Sequence, residues 1–302
     1  MTRWFEKKFE RNDLREHTLR RIGNDSPAGK IYRSFSITHW IILLTILVYI
    51  IIQIVILSGV SEETVVSYVG LQANDFFAGK FWTVVTSMLV HLWLPHLFFN
   101  MISLFFVGGF LEKIIGRKKF LFFYFLSGIF AGLFYVVLSY YFGTSPLGAR
   151  IFVNPDTPAV GASGAIFGIA GLLAVLTPFM RVYLIAGPLI AIIAQSVISS
   201  VFPDFAGLAL MNLLITIYIF VSLFSMFSLN PTIRKISFPL EMSFKFLPIV
   251  AIVPLFIIGL FVELPIGNTA HLGGLLAGMG YGYYLRRRYR KKTELLRKMF
   301  HG

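Results

Sequence analysis

Beyond residue 39 the chain does not alternate apolar and polar positions. It strings together continuous apolar runs, eight of which lack Lys, Arg, Asp and Glu over a length able to cross a bilayer. Such runs suit helices, which satisfy their own backbone in lipid, better than barrel strands, which would repeat with a period of two. A hydrocarbon core about 30 Å thick needs roughly 20 residues per helix, and that length predicts eight segments. They run from Trp40 to Leu57, within Phe81 to Leu111, and from Phe120 to Phe142, Val160 to Leu176 and Val182 to Phe202. The last three run from Phe205 to Ser228, Phe246 to Val262 and Gly267 to Leu285. The expected fold is an all-α polytopic membrane helix bundle. The fifth and sixth segments meet at Pro203 and Asp204, so they form a hairpin or include a re-entrant helix. Removing both leaves the parity of the count intact.

Composition agrees with this reading: 57% of residues are apolar and 14% charged, with a mean hydropathy of +0.77, which excludes an ordinary soluble domain. The net charge of +13 could suggest nucleic acid. The basic residues are interrupted by apolar runs, however, so the lipid bilayer and its anionic headgroups are the expected partner and nucleic acid is not. Their placement also orients the chain. With eight spans and the amino terminus inside, Lys80 and Arg150 alone among the 27 basic residues fall outside, as expected when Lys and Arg gather in cytoplasmic loops. The expected organisation is a basic cytoplasmic tail over residues 1–39, a transmembrane domain over 40–285 and a second basic cytoplasmic tail over 286–302. Thirty-nine mostly polar residues before the first apolar run do not read as a cleavable signal. The chain has no cysteine, which removes disulfides, thiolate metal sites and thiol nucleophiles. No metal or organic cofactor is called for.

Polar groups at membrane depth are costly and tend to face a protein interior or a water-filled cavity. Three segments that run from outside to inside carry them near their outer ends: His91, His96 and Asn100 in the second, Ser163 in the fourth and His271 in the eighth. A serine hydroxyl beside a neutral imidazole is the equipment of acyl transfer, with Ser163 as nucleophile and His271 as base. The helices that carry them hold no carboxylate to orient the histidine, so the pair reads as a dyad, and the orientation of His271 is left unexplained. His96 and Asn100, four apart on one helical face, could both point at a developing oxyanion, helped by the Ser163 backbone N–H. Gly274 and Gly278 share a face with His271, and Gly161 and Gly164 flank Ser163, so small residues could let the two backbones approach. His91 reads as nearer the surface, and His39, Trp40, Trp82 and Trp93 as interface residues. His17 and His301 read as solvated.

Three stretches in order, HLWLPHLFFN from His91, GASGAIFG from Gly161 and AHLGGLLAG from Ala270, resemble the motifs of the rhomboid family of intramembrane serine proteases. The resemblance implies a six-helix core, cleavage of transmembrane segments of other membrane proteins, and catalysis by Ser163 and His271 with His96 and Asn100 at the oxyanion. It also implies that Phe167 lies against the catalytic histidine. The chain departs from the family pattern twice. Three segments rather than one separate the serine and histidine helices, which reads as a two-span insertion over residues 182–228. Trp82 is followed by Thr83 where the family often has Trp-Arg, which puts the usual anchoring of the first outer loop in question. A catalytically inactive rhomboid-like protein that binds membrane clients is the alternative. A transporter would be expected to show midplane helix breaks and repeated halves, and neither is evident.

Overall fold

A computed structural model of the chain describes residues 35–202, 204, 206–225, 228, 230–261 and 267–300. The expected amino-terminal tail up to residue 34, and Pro203, Phe205, Val262, His17 and His301, lie outside the described residues. The order of elements is α1 (Ile37–Leu57), α2 (Glu62–Val69), α3 (Ala73–Phe77), α4 (Thr83–Thr86), α5 (Leu94–Ser103), α6 (Gly109–Ile115), α7 (Arg117–Phe142), α8 (Pro146–Phe152) and α9 (Ser163–Leu176). There follow β1 (Arg181–Ile185), α10 (Ala186–Val201), α11 (Leu208–Ser225), α12 (Pro231–Arg234), β2 (Pro239–Ser243), α13 (Leu247–Gly259), α14 (Asn268–Arg288) and α15 (Arg290–Lys298). A π-helical turn over Leu104–Gly108 joins α5 to α6.

Helix falls within every expected segment, but among the described residues only four helices are long and apolar enough to cross a membrane: Ile37–Leu57, Leu94–Ile115, Arg117–Phe142 and Leu208–Ser225. The second segment is broken, because residues 87–93 leave the helix before Pro95 opens α5. Proline is suited to that first turn, where its missing N–H costs nothing. The expectation of an all-α chain is corrected at one place: β1 pairs antiparallel with β2, Arg181 opposite Ser243 through Ile185 opposite Pro239. Val182 to Ile185 belong to the expected fifth segment. An apolar β-branched run continuous with a helix fits either state until a partner strand is present.

The centre of the bundle is α9, most of whose side chains are buried, packed between α7 and α14. At 14 residues it is about 21 Å long, shorter than the hydrocarbon core, so a residue at its start need not reach the rim. At the opposite end of α14, Arg286, Arg287 and Arg288 lead into α15. There Lys119 lies over the Tyr289 ring and Arg297 over Phe179, so the basic termini of several helices gather at the end of the bundle away from the start of α9.

One buried carboxylate ties this scaffold together. Glu112 on α6 accepts hydrogen bonds from the Ile37 N–H (2.8 Å), the Thr38 N–H (2.9 Å) and the Thr38 hydroxyl (2.7 Å), capping α1 with a negative charge where the helix dipole favours one. Arg117 lies 3.6 Å from the same carboxylate. Glu112→Ala strands two amide donors and is expected to cost about 2 kcal/mol of stability. Thermal unfolding in detergent measures this, and an unchanged midpoint would deny the cap its importance.

Candidate active site

Ser163 is the first residue of α9 and His271 the fourth of α14, so both side chains stand at helix starts on the same side of the bundle. Their contact is direct: Ser163 Oγ and His271 Nε2 are 2.8 Å apart. What brings the backbones together is glycine. A Cβ on Gly274 would run into the Gly164 carbonyl, and one on Gly278 into the Gly168 carbonyl, so at these positions only hydrogen fits and the helices meet backbone to backbone. Gly164 itself turns its Cα toward Ala131 of α7, where a Cβ would lie 2.8 Å from the alanine methyl.

Gly161, grouped with the helix-packing glycines in the sequence, has a different place. It lies in the approach to α9 with φ +117°, a left-handed value that favours glycine. A Cβ there would stand 2.7 Å from the His96 ring and 3.7 Å from the Asn100 amide nitrogen. The residue therefore leaves room for His96 instead of lining the α9–α14 contact. Its N–H donates to the Ser87 carbonyl at 2.8 Å, pinning the loop to the broken stretch before α5.

His271 is buried, 8% exposed. Its orientation, unexplained by sequence, has a visible cause in Phe167, one turn past Ser163, whose ring stacks on His271 at 4.3 Å and 14°. The other ring nitrogen, Nδ1, is buried without a hydrogen-bond partner among the described residues, and no carboxylate among those residues forms an ion pair with the ring. Asn100 is buried and donates to the His96 carbonyl at 3.0 Å, which uses one of its two amide hydrogens.

These groups surround a cavity of about 550 Å³ whose walls include Ser163, His271, His96, Asn100, Phe167 and Gly161. Among the described residues no group of three or more His, Cys, Asp or Glu could hold a metal ion. The segment after α8 is knit over the cavity: Tyr135 Oη donates to the Thr157 carbonyl at 2.6 Å, Ser139 to the Val153 carbonyl at 2.9 Å, and Leu71 bridges Ala159. The loop after α1 is held by Trp82 and Lys80. The Trp82 indole donates to the Tyr68 carbonyl at 2.9 Å, and Lys80 reaches the Ser67 carbonyl and Asp75.

Sequence reasoning missed several residues here. His91, read as nearer the surface, is fully buried with its ring 4.9 Å from that of His96. Trp93, read as an interface residue, lines the cavity, as does Ile192 of α10. Helical spacing around His96 points toward Trp93, whereas no local signal distinguishes Ile192 from its apolar neighbours.

A family model, the Rhomboid domain, matches residues 78–212 and 189–288, together well over half of the chain. The chain is 32% identical over 139 residues to rhomboid protease GluP of Bacillus subtilis, a match covering 45% of this chain and 24% of that protein. It is 36% identical over 142 residues to rhomboid protease AarA of Providencia stuartii, covering 45% and 49%. It is also 34% identical over 94 residues to inactive RHOMBOID-like protein 8 of Arabidopsis thaliana, covering 31% and 22%. In each case the match spans less than half the length of the curated relative.

Proposed function

The chain belongs to the rhomboid family, and from that premise we propose that it is an intramembrane serine endopeptidase that cleaves transmembrane segments of other membrane proteins. The observation that carries the reading is the 2.8 Å contact between Ser163 Oγ and His271 Nε2 in a cavity inside the helix bundle. In this mechanism Nε2 accepts the hydroxyl proton as Oγ attacks the scissile carbonyl. The tetrahedral oxyanion is met by His96, the Asn100 amide and the Ser163 backbone N–H, each donor worth about 3 kcal/mol at the transition state. The imidazolium then protonates the leaving amine, which departs with one product. His271 next draws a proton from water, which attacks the acyl carbon, and Ser163 recovers its proton as the acid product leaves. Phe167, stacked on the imidazole, holds it in line. A substrate helix hides its carbonyls in its own hydrogen bonds, so cleavage favours segments weakened by Gly or Pro near the cut.

The protein is an integral multi-pass membrane protein. Eight spans with both termini cytoplasmic, residues 182–228 as an inserted pair, and a cavity opening toward the outer face of the cell membrane complete the proposal, supported by the distribution of Lys and Arg. The second reading, a client-binding protein without catalysis, is favoured only by the relative named inactive, and the intact Ser–His contact weighs against it. A charged, membrane-impermeant fluorophosphonate applied to intact cells tests chemistry and orientation together. Wild type is expected to be labelled and Ser163→Ala not. Equal labelling of both removes the nucleophile, and labelling only after the cells are opened reverses the orientation.

A further inference from the structure

Three helices longer than ten residues, α10, α11 and α13, lie between the serine helix and the histidine helix, and of these only α10 puts a side chain, Ile192, on the cavity among the described residues. That side chain comes from outside the centre of the bundle. α10 packs on α11 and on the stretch from Lys235 to Ser243 rather than along α7, α9 or α14. The pair is tied at one end by the β1–β2 ladder and by the Tyr218 hydroxyl, which donates to the Ile236 carbonyl at 2.9 Å. Within the pair Gln195 donates its amide to Asn212 at 2.8 Å. Contact with the catalytic side comes through rings. Phe98, which lies on α5 between His96 and Asn100, meets Phe220 of α11 at 5.4 Å and Phe224 at 6.1 Å.

Lipid tails are as apolar as these helices, so burial alone gives no reason for the pair to rest on α5, and ring packing must fix where it rests. Ile192 then lines the same cavity as Ser163. A β-branched side chain is stiff about χ1 and sets a firm boundary there. A polypeptide extended enough to offer its carbonyl to Ser163 turns alternate side chains to opposite sides, and one side must confront this wall. We propose that α10 is a substrate-contacting wall of the site, that Ile192 is a specificity-determining residue for side chains near the scissile bond, and that Phe98, Phe220 and Phe224 position it. The inference rests on Ser163 being the nucleophile.

The test uses two transmembrane reporter substrates that differ only in carrying Ala or Phe at the residue before the scissile bond, with the ratio of their kcat/KM values as readout. Ile192→Ala is expected to raise the relative rate on the Phe substrate about tenfold, the scale on which small volume changes in an apolar pocket discriminate, and Ile192→Phe to lower it. The Phe220→Ala/Phe224→Ala variant is expected to shift the ratio the same way as Ile192→Ala, and adding Ile192→Ala to it should bring less than the sum of the separate shifts. A merely structural role would lower both rates and leave the ratio alone. Ratios within twofold of wild type for Ile192→Ala and Ile192→Phe overturn the proposal, as does a seating variant whose effect simply adds to that of Ile192→Ala. Fluorophosphonate labelling of the same preparations separates the two levels: wild-type labelling that survives Ser163→Ala overturns the catalytic reading and this inference with it. Ser163-dependent labelling with an unmoved ratio overturns the inference alone.

Discussion

Replacing His271 with alanine is expected to cut hydrolysis of a transmembrane reporter by about 10³-fold or more, and the Ser163→Ala/His271→Ala double variant should be no worse than either single one. Residues that act as one unit lose their function together, so their effects do not add. Nε2 of His271 is the only base in contact with Ser163 Oγ among the described residues, so no neighbour stands ready to take the proton. Turnover in proteoliposomes measures this. A single variant that keeps a tenth of the wild-type rate, or a double variant whose loss is the product of the singles, would break the dyad assignment.

The second large effect concerns the ground on which that pair stands. Gly278→Leu places a side chain where the nearest atoms are backbone, the Gly168 carbonyl and the Leu172 nitrogen. No rotamer relieves a clash with backbone, so α14 must move off α9, and His271 moves with it. We expect a loss of about 3 kcal/mol or more of stability together with loss of fluorophosphonate labelling. The comparison is Gly280→Leu, two residues along the same helix, where a Cβ would meet nothing within 4 Å. That change should leave both the unfolding midpoint and the labelling close to wild type. Equal behaviour of the two variants would mean that the close approach of α9 and α14 does not hold the site.

Much of this was legible before any coordinates. Ser163, His271, His96 and Asn100 stood out because polar groups in apolar runs are expensive, and Gly274 and Gly278 because their spacing repeats the histidine's face. α14 shows how far pattern exceeds bulk hydropathy: it is absent from the helices that pass on length and apolarity, since glycines and a terminal run of arginines dilute it, yet its polar and glycine positions declared its partner. Other features depend on information the local sequence does not hold. Val182 to Ile185 became a strand because residues 239–243 lie alongside them. Gly161 looked like its helical neighbours until its positive φ and its closeness to His96 were visible. His91 was placed near the surface by its distance from the helix middle, whereas the break over residues 87–93 folds it inward. The place of Ile192 on the cavity wall depends on tertiary packing, which no apolar run announces.

The antiparallel ladder has a consequence for how such a chain can change its length. Because Ile185 sits directly across from Pro239, the polypeptide departs into α10 and comes back from the stretch after α12 at one point in space. A tight turn of two residues is enough to close neighbouring antiparallel strands. Residues 186–238 are thus a stretch that a short turn from Ile185 to Pro239 can replace without re-routing α9 or α13.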